Sequence, residues 1–344
     1  MTLSDPASFG DDPIAGPIVG IVGCGVTGGK VASHVAKAGM RVAAFDTDTG
    51  AARRVAQRVA GVAVDDPSDL TVADLVVLCH PAPHEELAIS LIGHGVGVVS
   101  LADEMNDLHR LLALDEMAHD AGVLLVIGAA MGPGFSGVLA RSLTQQVPVI
   151  EELHVALHGT GGPACAHQHH RALGDRATTW HDGAWIDRAG GSGRELCWFP
   201  EPIGARDCYR AAVGDPLLLQ RAFPSAMRIS ARVSATRRDR LTARLPMLVP
   251  PHAEGSLGAV RVEARGCDLS GARVTAIVGA SGLAADIAAA TAAAVAIGCH
   301  EVALPSGVHV LGSDALGPLR LLERVMRLGV HVQEFTGVAR ATTW

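Results

Sequence analysis

Gly23-Cys24-Gly25-Val26-Thr27-Gly28 reads G-x-G-x-x-G, and it stands between the apolar, β-branched run "PIVGIV" and a helical stretch, "VTGGKVASHVAKAG", that closes at Gly39. The glycines let the backbone turn sharply and approach a pyrophosphate, whose charge the following helix N-terminus favours. The competing ATPase pattern, G-x-x-x-x-G-K-[ST], fails at two positions. Counting back from Gly29-Lys30 puts Cys24 where its first glycine belongs and Val31 where its hydroxyl belongs.

The next strand, "RVAAFD", ends at Asp46, 18 residues past Gly28. An acidic side chain there can hydrogen-bond an adenosine ribose. The expected cofactor is therefore NAD(P)(H), with NAD(H) favoured because Asp46 repels a 2′-phosphate. Arg53 and Arg54 keep NADP(H) open, unless they are surface residues of the next helix. Gly23, Gly25, Val26, Thr27, Gly28 and Asp46 are the expected nucleotide contacts.

Beyond Asp46, strand and helix patterns alternate to about residue 130. "ADLVVLC" and "GVGVVSL" read as buried strands, and "NDLHRLLALDEMAHDAG" as one amphipathic helix closed by Gly122 before "VLLVIGAA". Alternation of this kind gives a doubly wound parallel sheet, whose strand carboxyl ends line the ligand crevice. Those ends carry Cys79-His80-Pro81, Asp103-Glu104 and the turn Gly128 to Gly134. Cys79, His80 and Pro81 join the expected cofactor contacts, and Met131 and Gly132 are expected to meet substrate. His80 is a candidate proton donor or a loop residue ending its strand. Asp103 is a candidate acid or ammonium anchor, or an N-cap for the helix after Asn106.

After this the pattern changes. "IEELHVALHG", "AMRISARVSA", "GAVRVEARG" and "ARVTAIVGAS" read as longer antiparallel strands, with a loop-rich stretch from 159 to 193. The small-residue helix "GLAADIAAATAAAVAIG" suits packing against the first domain. The expected architecture is α/β: an acidic leader (1–16), a Rossmann domain (17–132), a mixed α+β substrate and dimerisation domain (133–282), and a C-terminal segment (283–344) returning to the Rossmann side.

Composition narrows the partners. The net charge is -7, which disfavours nucleic acid. The apolar run from Ala284 to Ile297 is too short and too alanine-rich to span a membrane, and no secretory leader opens the chain. The expectation is a cytoplasmic protein. Seven cysteines with no CxxC pair suit neither a disulfide framework nor a zinc site. "HQHH" (His167, His169, His170) lacks firm ligand spacing and reads as an exposed or substrate-lining loop, so no metal is expected. Pro81 and Pro83 keep His80 and His84 from forming a helical pair, and "GFSG" is not a nucleophile elbow. Thirteen of the 26 arginines fall between Arg171 and Arg244. They form a solvated face, or some of them clamp substrate carboxylates. Arg206, Tyr209 and Arg210 are the candidates, Tyr209 alternatively filling an inter-domain seam.

The stretches "VGCGVTGGKVASHV", "VVSLADEMNDLHRLLALDEMAHDAGVLLVIGAAMGPGFSGVLA" and "ELCWFPEPIGARDCYR" resemble the saccharopine dehydrogenase-like family of NAD(P)-dependent reductases, over roughly 17 to 332. The resemblance implies a Rossmann domain followed by a mixed substrate domain, a carboxylate at Asp103, and a homodimer built on the second sheet. It further implies hydride transfer between nicotinamide and the C–N bond of an imine or amine derived from an amino acid or polyamine. Two rival readings stand beside it: a dehydrogenase acting on the C–O bond of a hydroxy acid, and a non-catalytic NAD(H)-sensing protein.

Overall fold

The structure is a computed structural model and describes residues 16–247, 249–302 and 304–335. All but the last residue of the expected leader lies outside these. The first part of the chain lays down β1 (Ile18–Val22), β2 (Arg41–Phe45), β3 (Val62–Ala63), β4 (Leu75–Leu78), β5 (Gly97–Ser100) and β6 (Leu124–Ile127). Every pairing among them is parallel. Every residue of β1, β4 and β5 is buried, as expected of strands covered by helices on both faces. The stretch read as one amphipathic helix forms two, Met105–Leu112 and Asp115–Asp120, parted at Ala113-Leu114.

The second sheet is built from β7 (Val149–His158), β8 (Arg176–His181), β9 (Ala184–Ala189), β10 (Glu195–Phe199), β11 (Gly204–Arg210), β12 (Arg228–Ser234), β13 (Leu257–Cys267) and β14 (Arg273–Leu283). It is mixed, because β7 and β12 pair in parallel, whereas the sequence pattern suggested antiparallel neighbours. The long excursion between them supplies the crossover that a parallel pair needs. β13 and β14 form the expected antiparallel hairpin. Burial alternates along β12 between buried and half-buried residues, so this strand packs one face on the core, whereas β13 is buried on both faces over most of its length.

The chain then serves both sheets again. β15 (Gly307–Val310) adds to β6 in parallel, making the first sheet seven-stranded with order β15-β6-β5-β4-β1-β2-β3. β16 (His331–Glu334) pairs with β14 on the second sheet. Between these returns, the helix Ala284–Glu301 packs against the helix Val26–Lys37 that follows the glycine turn. Its alanines are buried nearly all round, which lets the two backbones come close. Lys30 Nζ and Asp286 Oδ1 meet at 2.5 Å beside this seam. Among the described residues, no helix is long and apolar enough to cross a membrane.

Candidate active site

A cavity of about 830 Å³ opens at the carboxyl ends of β1, β2, β4 and β5 and is closed on its far side by residues 159–169 and by Ala284 and Ala288. One end is the glycine turn. Gly23 has φ +89°, and a Cβ there would come within 2.5 Å of the His80 backbone nitrogen. A Cβ on Gly25 would meet nothing within 4 Å, so that position faces open space where a phosphate can approach. Asp46 stands at the cavity wall with its carboxylate already held. Oδ2 accepts from the Cys24 amide at 2.6 Å and Oδ1 from the Asp48 amide at 2.8 Å. Arg54 pairs with Asp48 and Arg53 with Asp65, and neither arginine lines the cavity.

Toward the middle lie Cys79, His80 and Pro81. His80 Nδ1 is 2.7 Å from the Pro81 carbonyl oxygen, and its Nε2 is buried without a hydrogen-bond partner. Burial lowers the pKa of this ring. Behind it, His84 is a structural residue. Its Nε2 meets the His80 carbonyl and its Nδ1 the Ser100 hydroxyl, both at 2.8 Å, while its amide donates to both Asp107 oxygens. Burial drives the His84 pKa down to about 3, so it stays neutral. It fixes the peptide that carries His80.

The other end is chemically different. Asp103 does not cap the helix after it, because Glu104 accepts from the Asn106 and Asp107 amides instead. Asp103 is therefore free to face the cavity, with the Gln168 amide donating to it, and burial raises its pKa. Cys165 and His169 stand beside it, the ligating atoms of the three lying within 4.8 Å of one another. His169 is 8% exposed and its Nδ1 has no partner. Burial lowers its pKa against the pull of Asp103 and Asp215. Asp215, wholly buried, accepts from the Ser136 hydroxyl at 2.6 Å, and burial pushes its pKa up to about 6. Ser136 is thus a buried structural donor.

Cys165, Gln168 and His169 come from the helix Pro163–Ala172, in the stretch expected to be loop. Proline at its first position and Gly174 just past its end are ordinary helix signals, masked here by the glycines before it. Cys165 and His169, four apart, fall on one helix face, which is the signal the pattern "HQHH" obscured. Met131 and Gly132 line the cavity as expected. Arg206, Tyr209 and Arg210 do not. Arg206 is exposed on β11, Tyr209 is buried beneath the Arg240 guanidinium, and Arg210 lies against Ser192 and Gly193. Their strand belongs to the second sheet, away from the crevice. Among the described residues the cavity lining contains no lysine or arginine.

Residues 18–115 match the family model of the NAD binding domain of 6-phosphogluconate dehydrogenase. The apo saccharopine dehydrogenase (L-Glu forming) of Saccharomyces cerevisiae superposes with a TM-score of 0.69 at 14% identity, covering 93% of this chain and 100% of that one. The chain has the saccharopine dehydrogenase fold. GenD2 from gentamicin A biosynthesis, solved with NAD, is 16% identical with a TM-score of 0.47, over 94% of this chain and 97% of that one. A meso-dapdh mutant from Clostridium tetani E88, solved with DAP, is 15% identical with a TM-score of 0.46, over 87% and 95%. No curated protein sequence matches. Residues 18–115 thus match an NAD-binding domain of Rossmann type, within a chain that has the saccharopine dehydrogenase fold.

Proposed function

We propose that this chain is an NAD(P)(H)-dependent oxidoreductase of the saccharopine dehydrogenase-like kind. It passes hydride between the nicotinamide and the C–N bond of an imine or amine derived from an amino acid or polyamine. The observation that carries the reading is the continuity of one cavity from the glycine turn and Asp46 to the half-buried Asp103. A dinucleotide whose pyrophosphate lies on Gly23–Gly28 points its nicotinamide toward Cys79, His80 and Pro81. Substrate then lies between the nicotinamide and Asp103, against Met131 and Gly132. Hydride transfer leaves an electron pair on nitrogen that needs a positively charged neighbour, usually a proton. His80 and Asp103 are the groups placed to act there, and Asp103 suits an ammonium or a protonating imine because it is an acid beside the proposed substrate position in a lining that holds no lysine or arginine among the described residues.

In this reading the chain divides at 17–132, 133–282 and 283–344, works in the cytoplasm and forms a homodimer through the second sheet. The edge strand β10, where Leu196 and Trp198 are 57% and 59% exposed, offers that dimer an apolar face. Sedimentation as a monomer at micromolar concentration would remove the dimer.

NAD(H) preference rests on Asp46. NADH is expected to bind more tightly than NADPH, and Asp46→Ala to lose that advantage by about tenfold, the scale of a hydrogen bond to a charged group. Tryptophan-quenching titrations with both nucleotides check this. Binding of neither nucleotide would end the oxidoreductase reading. Turnover of a hydroxy acid with no need for an amine would move the chemistry to a C–O bond.

A further inference from the structure

We propose that Asp103, Cys165 and His169 form a site for a divalent transition metal ion of the zinc class, with its open position toward the nicotinamide end of the cavity. A carboxylate, a thiolate and an imidazole are a donor set that such ions accept, and three protein ligands with one free position is the arrangement of a catalytic rather than a structural site. The ligating atoms lie within 4.8 Å of one another. Bonds of about 2.0–2.3 Å would draw them to roughly 3.5 Å apart, a closure within the reach of side-chain rotation. Cys165 and His169 sit one helical turn apart on the rigid helix Pro163–Ala172, the i,i+4 spacing with which a helix presents two ligands to one ion.

The orphaned atoms point the same way. His169 Nδ1 and Asp215 Oδ2 are both buried without a hydrogen-bond partner, and the two side chains are close enough for the carboxylate to act on the charge of the ring. A ligating histidine needs one nitrogen for the ion and, usually, a carboxylate or carbonyl for the other. The Gly161 backbone hydrogen-bonds the Cys165 sulfur, and the Gln168 side chain hydrogen-bonds the Asp103 carboxylate. All three proposed ligands line the cavity.

The ion's task, though not its binding, rests on the function proposed above. An imine nitrogen on the open position is polarised as hydride leaves the nicotinamide. In that step the new C–H bond would form, the C=N electron pair would move to nitrogen, and the nicotinamide would be oxidised. A water would protonate the nitrogen and leave as hydroxide, with the ion keeping its charge and Asp103 acting through the ion instead of as the proton donor.

Co²⁺ alone is the probe. The full chain, stripped with a chelator and exchanged into metal-free buffer, is titrated with Co²⁺ and followed by absorption. The expected result is a sulfur-to-cobalt charge-transfer band with the visible bands of four-coordinate cobalt, saturating at one equivalent and bleached by Zn²⁺. Cys165→Ser, shown folded by circular dichroism, should lose the charge-transfer band. Asp103→Asn and His169→Gln should keep it but weaken Co²⁺ by about tenfold or more. If Cys165→Ser does not fold, the affinity shift in His169→Gln decides. No band at stoichiometric cobalt, a band unchanged in Cys165→Ser, or unchanged affinity in His169→Gln overturns the site. NADH binding is measured separately on the same samples. Nucleotide binding without cobalt binding removes the metal and leaves the oxidoreductase, and the reverse removes the oxidoreductase and leaves the metal.

Discussion

The two ends of the cavity are made of different materials. At the glycine turn the cavity is faced by glycine backbone, empty space over Gly25, and one carboxylate held by two neighbouring amides. At the Asp103 end it is faced by ionisable side chains, half-buried at Asp103 and Cys165 and buried at His169, and in part without partners. The first end is built to fit a molecule whose shape is fixed. The second keeps polar groups short of satisfaction, an arrangement that costs stability and is tolerated where chemistry uses it.

If that division is right, substitutions at the two ends separate binding from turnover. The largest effect is expected from Asp103→Asn, which should lower kcat by about 10²–10⁴, the scale of a lost acid–base or charge-stabilising group, while the Kd for NADH moves less than about twofold. Steady-state kinetics and a fluorescence titration on the same preparation would expose a failure at once, since an unchanged kcat empties that end of its role. Next comes Gly25→Val, which fills the space over the turn. NADH affinity should fall by about a hundredfold with the melting temperature nearly unchanged, because a Cβ at Gly25 collides with nothing. A drop in melting temperature instead would mean that the turn is tighter than its geometry shows.

The third test concerns what the unsatisfied end costs. Burial raises the Asp215 pKa from 3.8 to about 6, so the folded chain binds a proton more readily than the unfolded one. The stability this contributes is fully present below about 4 and is lost as pH rises through about 6, at most about 3 kcal/mol across the window. Asp215→Asn should remove that slope from the difference between wild-type and variant urea midpoints at pH 4 to 7. Parallel pH profiles for the two proteins would show that Asp215 titrates normally. The smallest effect is reserved for Arg206→Ala, expected to change KM by less than about twofold. A large rise in KM would extend the substrate beyond the cavity and blur the contrast between its ends.

The same contrast explains what could be read from the sequence. The nucleotide end is local: strand, glycines, helix and Asp46 follow one another within thirty or so residues, and each obeys a short-range rule. The buried strands β1, β4 and β5 were equally plain, being apolar on both faces. The chemical end is assembled from Asp103, the helix Pro163–Ala172 and Asp215, which no spacing rule connects. Asp103 was visible only through its place at a strand end and through the family resemblance, and His169 was hidden in a cluster of histidines whose helix lay behind glycines. The parallel pairing of β7 and β12 escaped notice for a related reason, since only the intervening crossover permits it. Arg206 and Arg210 show the opposite error: guanidiniums suited to carboxylates, carried by a strand that faces elsewhere.

The grip of the Cys24 and Asp48 amides on Asp46 has a thermodynamic consequence. A free carboxylate at that position would surrender rotamer freedom on meeting a ribose, a loss of about 0.5–1.5 kcal/mol for a mobile side chain. Here the rotamer is chosen before any ligand arrives, so a ribose bound as proposed would meet an acceptor with little entropy left to lose.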